Sequence, residues 1–199
     1  MPDDKRGREK QARDADRRQR ARAIAAELER MEETEPPVAT DALDDLETEL
    51  DEVTFPATGA EVVEAVGERT IPSDEGLVRI GELVPETATE TFAVPADVTA
   101  RVQRPTIAAM MKRIVEANAA VSNDRLGDSR RKAYEKTLRA LKSIDADDED
   151  EGVEVITDWI VEQTHEDEQP PGSRSVRRRA AEFCRENGYE IRNDEWLGI

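Results

Sequence analysis

One histidine, His165, and one cysteine, Cys184, make up the supply of imidazole and thiol in this 199-residue chain. General acid-base and nucleophilic chemistry usually needs such a group, or a serine, held against a partner. There is no G-x-S-x-G elbow to present a serine. His165 stands among Gln163, Thr164 and Glu166 and reads as a solvated residue. Cys184 follows Phe183 on an apolar helical face and reads as core. Carboxylates are abundant, and that abundance empties their spacing of meaning: among 47 acidic residues, pairs that mimic a glycosidase or a metal cluster arise by chance. No G-x-G-x-x-G and no Walker-type loop supports a nucleotide site. From Asp147, acids at loop positions one, three and five (Asp147, Glu149, Glu151), Gly152 at six and Asp158 at twelve echo a calcium loop. Glutamate is too long where Asp or Asn is usual, and Asp158 replaces the bidentate Glu, so the stretch 147–158 reads as an acidic linker. No catalytic, cofactor or metal residue is assigned, and the chain is expected not to be an enzyme.

The residues best suited to binding are basic. In SRSVRRRAAEFCRENGYEI, Arg177, Arg178 and Arg179 are followed one to two turns later by Arg185, on a helix carrying Val176, Ala180, Phe183 and Cys184. With helices before it and a trailing YEI…WLGI that can pair as a β-ribbon, this resembles a winged helix-turn-helix, whose corresponding helix enters the major groove. Against that stand the acidic segment 152–168 where a supporting helix belongs, and a connection, EDEQPPGS, longer than a tight turn. A second basic set, Arg130, Arg131, Lys132, Lys136, Arg139 and Lys142, is expected to line the solvent face opposite Tyr134, Leu138 and Leu141. No aromatic platform for single-stranded nucleic acid accompanies it.

The formal charge of −18 favours a setting in which mobile cations screen the carboxylates. At molar ionic strength the Debye length is about 3 Å, which removes most of the repulsion. The charge comes in blocks. Residues 1–22 and 101–143 are basic, 23–100 and 144–170 strongly acidic, and the last 29 residues nearly balanced, which implies separate surfaces or partners. Leu, Ile, Val and Phe total only 39 of 199 residues, so the core must be small. A single cysteine excludes an internal disulfide, and no apolar run approaches a membrane span, so a cytoplasmic protein without membrane contact is expected.

Elements follow from spacing. Ala21, Ile24, Leu28 and Met31 share one helical face, and Leu43, Leu46, Leu50 and Val53 repeat that stepping after the break at Pro36 and Pro37, with Thr40 or Asp41 as cap. The stripe Ile24, Leu28, Met31, Leu43, Leu46, Leu50 is a candidate partner-binding surface on a charged arm. Thr58 with Glu61 is a capping box for a short helix carrying Val62, Val63 and Val66 and closed by Gly67. Thr70 and Ile71, the turn PSDEG and Leu77 to Ile80 predict a β-hairpin, with Phe92 and Val94 as a third short strand. Pro95 and Asp97 start a helix, and Ile107, Met110, Met111, Ile114 and Val115 form a core stripe after Pro105. Tyr134, Leu138 and Leu141 mark a helix after Ser129, and Val153, Ile156, Trp159 and Ile160 another; Ser175 caps the last.

FPAT with Glu61 and Gly67, the hairpin ending in Gly81 and Glu82, and ETFAVPADV at 90–98 resemble an uncharacterised family of small acidic proteins from salt-loving archaea, over roughly Asp51 to Val121. The resemblance implies a fold and a habitat; its motifs are turns, caps and hydrophobic spacing, with no activity or site residues. The expected architecture is mainly α (α+β), with short helices around a small antiparallel sheet. A charged helical arm, partly disordered, occupies 1–50, the family-like core 51–122, and a helical region 123–199 containing the acidic linker 144–152. The expected function is a non-catalytic adaptor with an unidentified protein partner. The alternative is a DNA-binding regulator using the C-terminal helix.

Overall fold

The computed structural model describes residues 35, 37–73, 76–144 and 150–189, which form seven α-helices and two small antiparallel two-stranded sheets. The chain divides into two units, Met1–Pro36 and Pro37–Ile199, and every described helix and strand belongs to the second. The expected stripe residues Ile24, Leu28 and Met31 lie outside the described residues.

Helix α1, Thr40–Leu50, begins one residue earlier than a Thr40 cap would set it and two earlier than an Asp41 cap would. Ala39 takes the N-cap position without a side-chain bond, and the Val38 N–H just before it donates to the Gln103 carbonyl at 2.8 Å. Strand β1, Ala57–Thr58, leads into α2, Gly59–Val66. The capping box forms as expected. The Glu61 N–H donates to Thr58 Oγ1 at 3.3 Å, and the Thr58 N–H to Glu61 Oε2 at 2.7 Å. Glycine is required at 59 by close approach, since a Cβ there would lie 2.0 Å from the Pro85 carbonyl oxygen.

Strands β2, Thr70–Ser73, and β3, Gly76–Arg79, form the predicted hairpin, with Ile71 opposite Val78. Phe92 does not extend it. Strand β4, Thr91–Phe92, pairs instead with β1, Ala57 opposite Phe92, because the Gly59 N–H bonds the Glu90 carbonyl at 2.8 Å and draws this stretch alongside FPAT. Val94 is not in a strand at all. Asp97 Oδ2 accepts the N–H groups of Ala93 and Val94, which turns the chain into α3, Pro95–Val102.

Helix α4, Pro105–Ser122, starts on its proline and ends at Asn123 in the left-handed region, φ 51°. Helix α5 spans Asp128–Lys142, α6 Glu151–Glu166 and α7 Ser173–Glu186. The last helix therefore starts before Ser175, with Gly172 at its N-cap and no side-chain cap. It closes in a Schellman arrangement. Gly188 is at φ 71°, the Tyr189 N–H donates to the Cys184 carbonyl at 2.9 Å, and the Gly188 N–H to that of Arg185 at 3.3 Å. The expected YEI…WLGI ribbon falls almost wholly outside the described residues.

Two apolar clusters share α4. One gathers Leu46 and Leu50 from α1 with Val62, Ile71, Ile80, Phe92, Val98, Val102 and Ala108. Helix α1 thus belongs to the α+β core rather than to a separate arm. The other joins Ile107, Met111, Ile114 and Val115 of α4 to Tyr134, Leu138 and Leu141 of α5, Val153, Ile156 and Ile160 of α6, and Val176, Ala180, Phe183 and Cys184 of α7. The core stripe expected after Pro105 is thereby spent entirely on the C-terminal bundle, with Met110 packed against the same cluster. Within that bundle α5, α6 and α7 each pack on the other two, and α4 packs on α6. The Tyr134 hydroxyl donates to the Pro171 carbonyl, tying the α6–α7 connection to α5.

Candidate interaction surface

An apolar stripe on one face of a helix forces its charges onto the other, and each helix of the C-terminal bundle shows this. In α7, burial of Val176, Ala180, Ala181, Phe183 and Cys184 turns Arg174, Arg178 and Arg185 outward, all three exposed. At 100° per residue these three lie within about 40° of one another. Arg177 and Arg179 do not join them. Both are half-buried; Arg179 reaches Glu186 at 3.6 Å and Glu182 at 4.0 Å, and Arg177 Nε is buried with no hydrogen-bond acceptor among the described residues. The candidate set Arg177, Arg178, Arg179, Arg185 therefore splits in two, and the row recruits Arg174, which stands outside the run of three consecutive arginines.

Helix α6 carries the opposite charge. Its core face is Val153, Ile156, Thr157, Ile160 and Thr164, and Glu151, Glu154, Asp158, Glu162 and Glu166 are exposed. Asp158 pairs across the bundle with Arg113 of α4. The stretch from Glu151 through Asp158 is helix, with Gly152 buried inside it, so the acidic-linker reading of 147–158 does not hold from Glu151 onward; Asp147 and Glu149 lie outside the described residues. Among the described residues no three His, Cys, Asp or Glu side chains converge as metal ligands. His165 is exposed at the end of α6, and Cys184 is buried in the bundle.

Helix α5 corrects one expectation. Lys132, Lys136 and Arg139 are exposed and Arg130 is half-buried, but Arg131 is only 3 % exposed and points inward. Its Nη2 donates to Glu90 Oε2 at 2.5 Å, and Glu90 is fully buried. The other oxygen of Glu90 accepts from Arg101 Nη2 at 3.1 Å, Arg101 continues to Glu135 at 3.2 Å, and Arg125 stands 3.9 Å from Glu90 and 2.9 Å from Asp128. Burial, with Arg101 close by, holds the Arg131 guanidinium down to about 10 in spite of Glu90. Lys142 also leaves the solvent face; its side chain is largely buried and pairs with Asp150 at 2.7 Å.

Sequence reasoning passed over Glu90. The signal available was the two-residue alternation Glu90, Phe92, which puts the carboxylate on the same face as a buried ring. Its partners were not legible, because Arg131 is 41 residues away. The candidate stripe Leu43, Leu46, Leu50 is likewise accounted for within the molecule. Leu46 and Leu50 are fully buried and Leu43 packs partly against the same cluster, so no partner can use that face as it stands.

A cavity of about 70 Å³ lies between α3, α4 and α5, lined by Arg101, Arg104, Glu135 and Arg139 over Ile107, Ala108 and Met111. That is small beside the several hundred Å³ of typical ligand pockets. No helix of the described residues is long and apolar enough to cross a membrane.

Fold and surface together define a mainly helical α+β protein whose outer faces are divided by charge. Residues 40–112, from α1 into the third turn of α4, match a family of unknown function, DUF5789. No curated protein and no solved structure matches the chain.

Proposed function

We propose that the protein is a non-catalytic interaction or adaptor module, cytoplasmic and adapted to high salt. The observation that carries this reading is the segregation of charge over the C-terminal bundle: Lys132 and Lys136 on α5 and Arg174, Arg178 and Arg185 on α7, against Glu151, Glu154, Asp158 and Glu162 on α6. Separate patches of opposite sign steer and orient a charged partner, whereas interspersed charges serve solubility alone. The net charge of −18 supports the high-salt setting, as does the resemblance of the FPAT and ETFAVPADV segments to acidic proteins of salt-loving archaea. Affinity capture with the full chain in molar potassium chloride, with and without nuclease, tests the reading. A protein partner retained after nuclease supports it; recovery of nucleic acid alone overturns it.

The second reading, a DNA-binding regulator, is favoured by the outward row Arg174, Arg178, Arg185, which can follow a phosphate backbone. The acidic face of α6 and the weakening of phosphate contacts by salt count against it. On the adaptor reading the full chain shows no sequence-selective duplex binding in molar salt. Retention of one sequence over random competitor, abolished when all three arginines become alanine, would make the regulator the better account.

A further inference from the structure

The basic row of α7 and the acidic row of α6 are complementary in register as well as in sign. Arg174, Arg178 and Arg185 are spaced by four and then seven residues. Glu162, Asp158 and Glu151, read in the opposite chain direction, are also spaced by four and then seven. In each helix the three lie within about 40° of arc, and at 1.5 Å per residue both rows are about 16 Å long with gaps of about 6 and 10 Å. All six side chains belong to exposed residues, and the three arginines form no ion pair among the described residues. Of the acids, only Asp158 has an ion-pair partner there, Arg113, and its side chain remains 63 % exposed.

We infer that the occupant of the α7 arginine row is a second copy of this chain, which presents its α6 acidic row antiparallel to it, pairing Arg174 with Glu162, Arg178 with Asp158 and Arg185 with Glu151. Every copy carries both rows, so each offers a donor face and an acceptor face. Exposed ion pairs are individually weak, and apolar contact comes from Val155 and Trp159, which are half-exposed on the flank of the acidic row. This occupant rests on the reading of the bundle as an interaction surface, and that reading survives if a second copy does not bind.

The test uses the full-length protein at the lowest potassium chloride concentration that gives complete helical circular dichroism, with mass followed by sedimentation equilibrium. Wild-type mass should rise with protein concentration and fall with added salt. Arg174→Glu or Glu162→Arg alone should weaken self-association at least tenfold, since each sets like charges against each other. An equimolar mixture of the two single variants should recover it, because the glutamate introduced into one copy then meets the arginine introduced into the other, and the native pair forms at the remaining contact. Both positions are exposed, so circular dichroism should be unchanged. A wild-type chain that stays monomeric to hundreds of micromolar, or a mixture no more associated than its components, would overturn the inference. Monomeric chain that still captures a different protein partner would overturn it too, while leaving the interaction-module reading intact.

Discussion

Glu90 is a buried charge that joins the α+β part to the C-terminal bundle through Arg131. Removing one member of a buried charge pair leaves the other desolvated and uncompensated. Glu90→Gln should therefore destabilise the protein by about 3 kcal/mol or more, because Arg131 is then buried beside a neutral amide. Glu135→Gln, which touches the same network from a partly exposed side chain, should cost less than about 1 kcal/mol. Urea melts of the two variants at one salt concentration measure the difference; equal costs would show that the buried pair contributes no more than a surface one. Glu61 offers a pH-dependent counterpart. Hydrogen bonds from the Thr58 N–H and hydroxyl hold its carboxyl below the usual 4.5. A carboxylate with a lowered folded-state value contributes stability that is complete above the ordinary value and is lost as pH falls through the lowered one. The stability gap between wild type and Glu61→Gln should thus be present at neutral pH and close as pH falls well below the ordinary carboxylate value. A gap that persists in acid would mean that the charge on Glu61 is not what stabilises the cap.

At the scale of elements, α4 is the shared wall. It gives Ala108 to the α+β cluster and Ile107, Met111, Ile114 and Val115 to the bundle, so neither cluster is closed without it. Its main bundle partner, α6, buries two threonines, of which Thr164 donates to the Ile160 carbonyl at 2.6 Å and Thr157 is the flaw. Thr157 is fully buried and its hydroxyl has no hydrogen-bond partner among the described residues. A buried hydroxyl without a partner costs roughly 1–3 kcal/mol by mutational measure. Thr157→Val, of nearly the same shape, should accordingly raise stability by about 1 kcal/mol in thermal or urea melts. A loss of stability would mean that the hydroxyl is satisfied in solution. The rows on α6 and α7 arise by the same logic in reverse: each helix has one stripe to bury, and what lies opposite has only solvent or a partner to face.

For the whole molecule, charge sets the working conditions. A net −18 over a lean apolar core leaves a margin of stability that self-repulsion can erase in dilute buffer. Helical circular dichroism should rise from low to molar potassium chloride, and melting should sharpen into a cooperative transition over the same range. An equally sharp and equally stable transition in dilute buffer would remove salt from the account. Screening acts on the surface carboxylates far more than on Glu90, which is buried with Arg131, so the Glu90→Gln cost should change little with salt while overall stability changes much.

Whatever is settled between near neighbours in the chain could be read without the fold. The Thr58 and Glu61 box, the hairpin over 70–79, the start of α3 at Pro95, and the buried stripes of α4, α5, α6 and α7 were all legible, because caps, turns and the 3.6-residue period act between near neighbours. The sequence also showed that α1 has an apolar face, but not what covers it. Leu46 and Leu50 suit a partner and a core equally well, and the difference lies in elements elsewhere in the chain. Phe92 reads as a strand residue and is one, but in a different sheet from the hairpin, since its pairing with Ala57 depends on a glycine 33 residues earlier that lets two backbones meet. Only the tertiary structure separated Arg131 from its exposed neighbours, and Arg177 and Arg179 from the exposed Arg178. A helical period says which residues share a face, whereas burial depends on which other faces the folded chain brings against it.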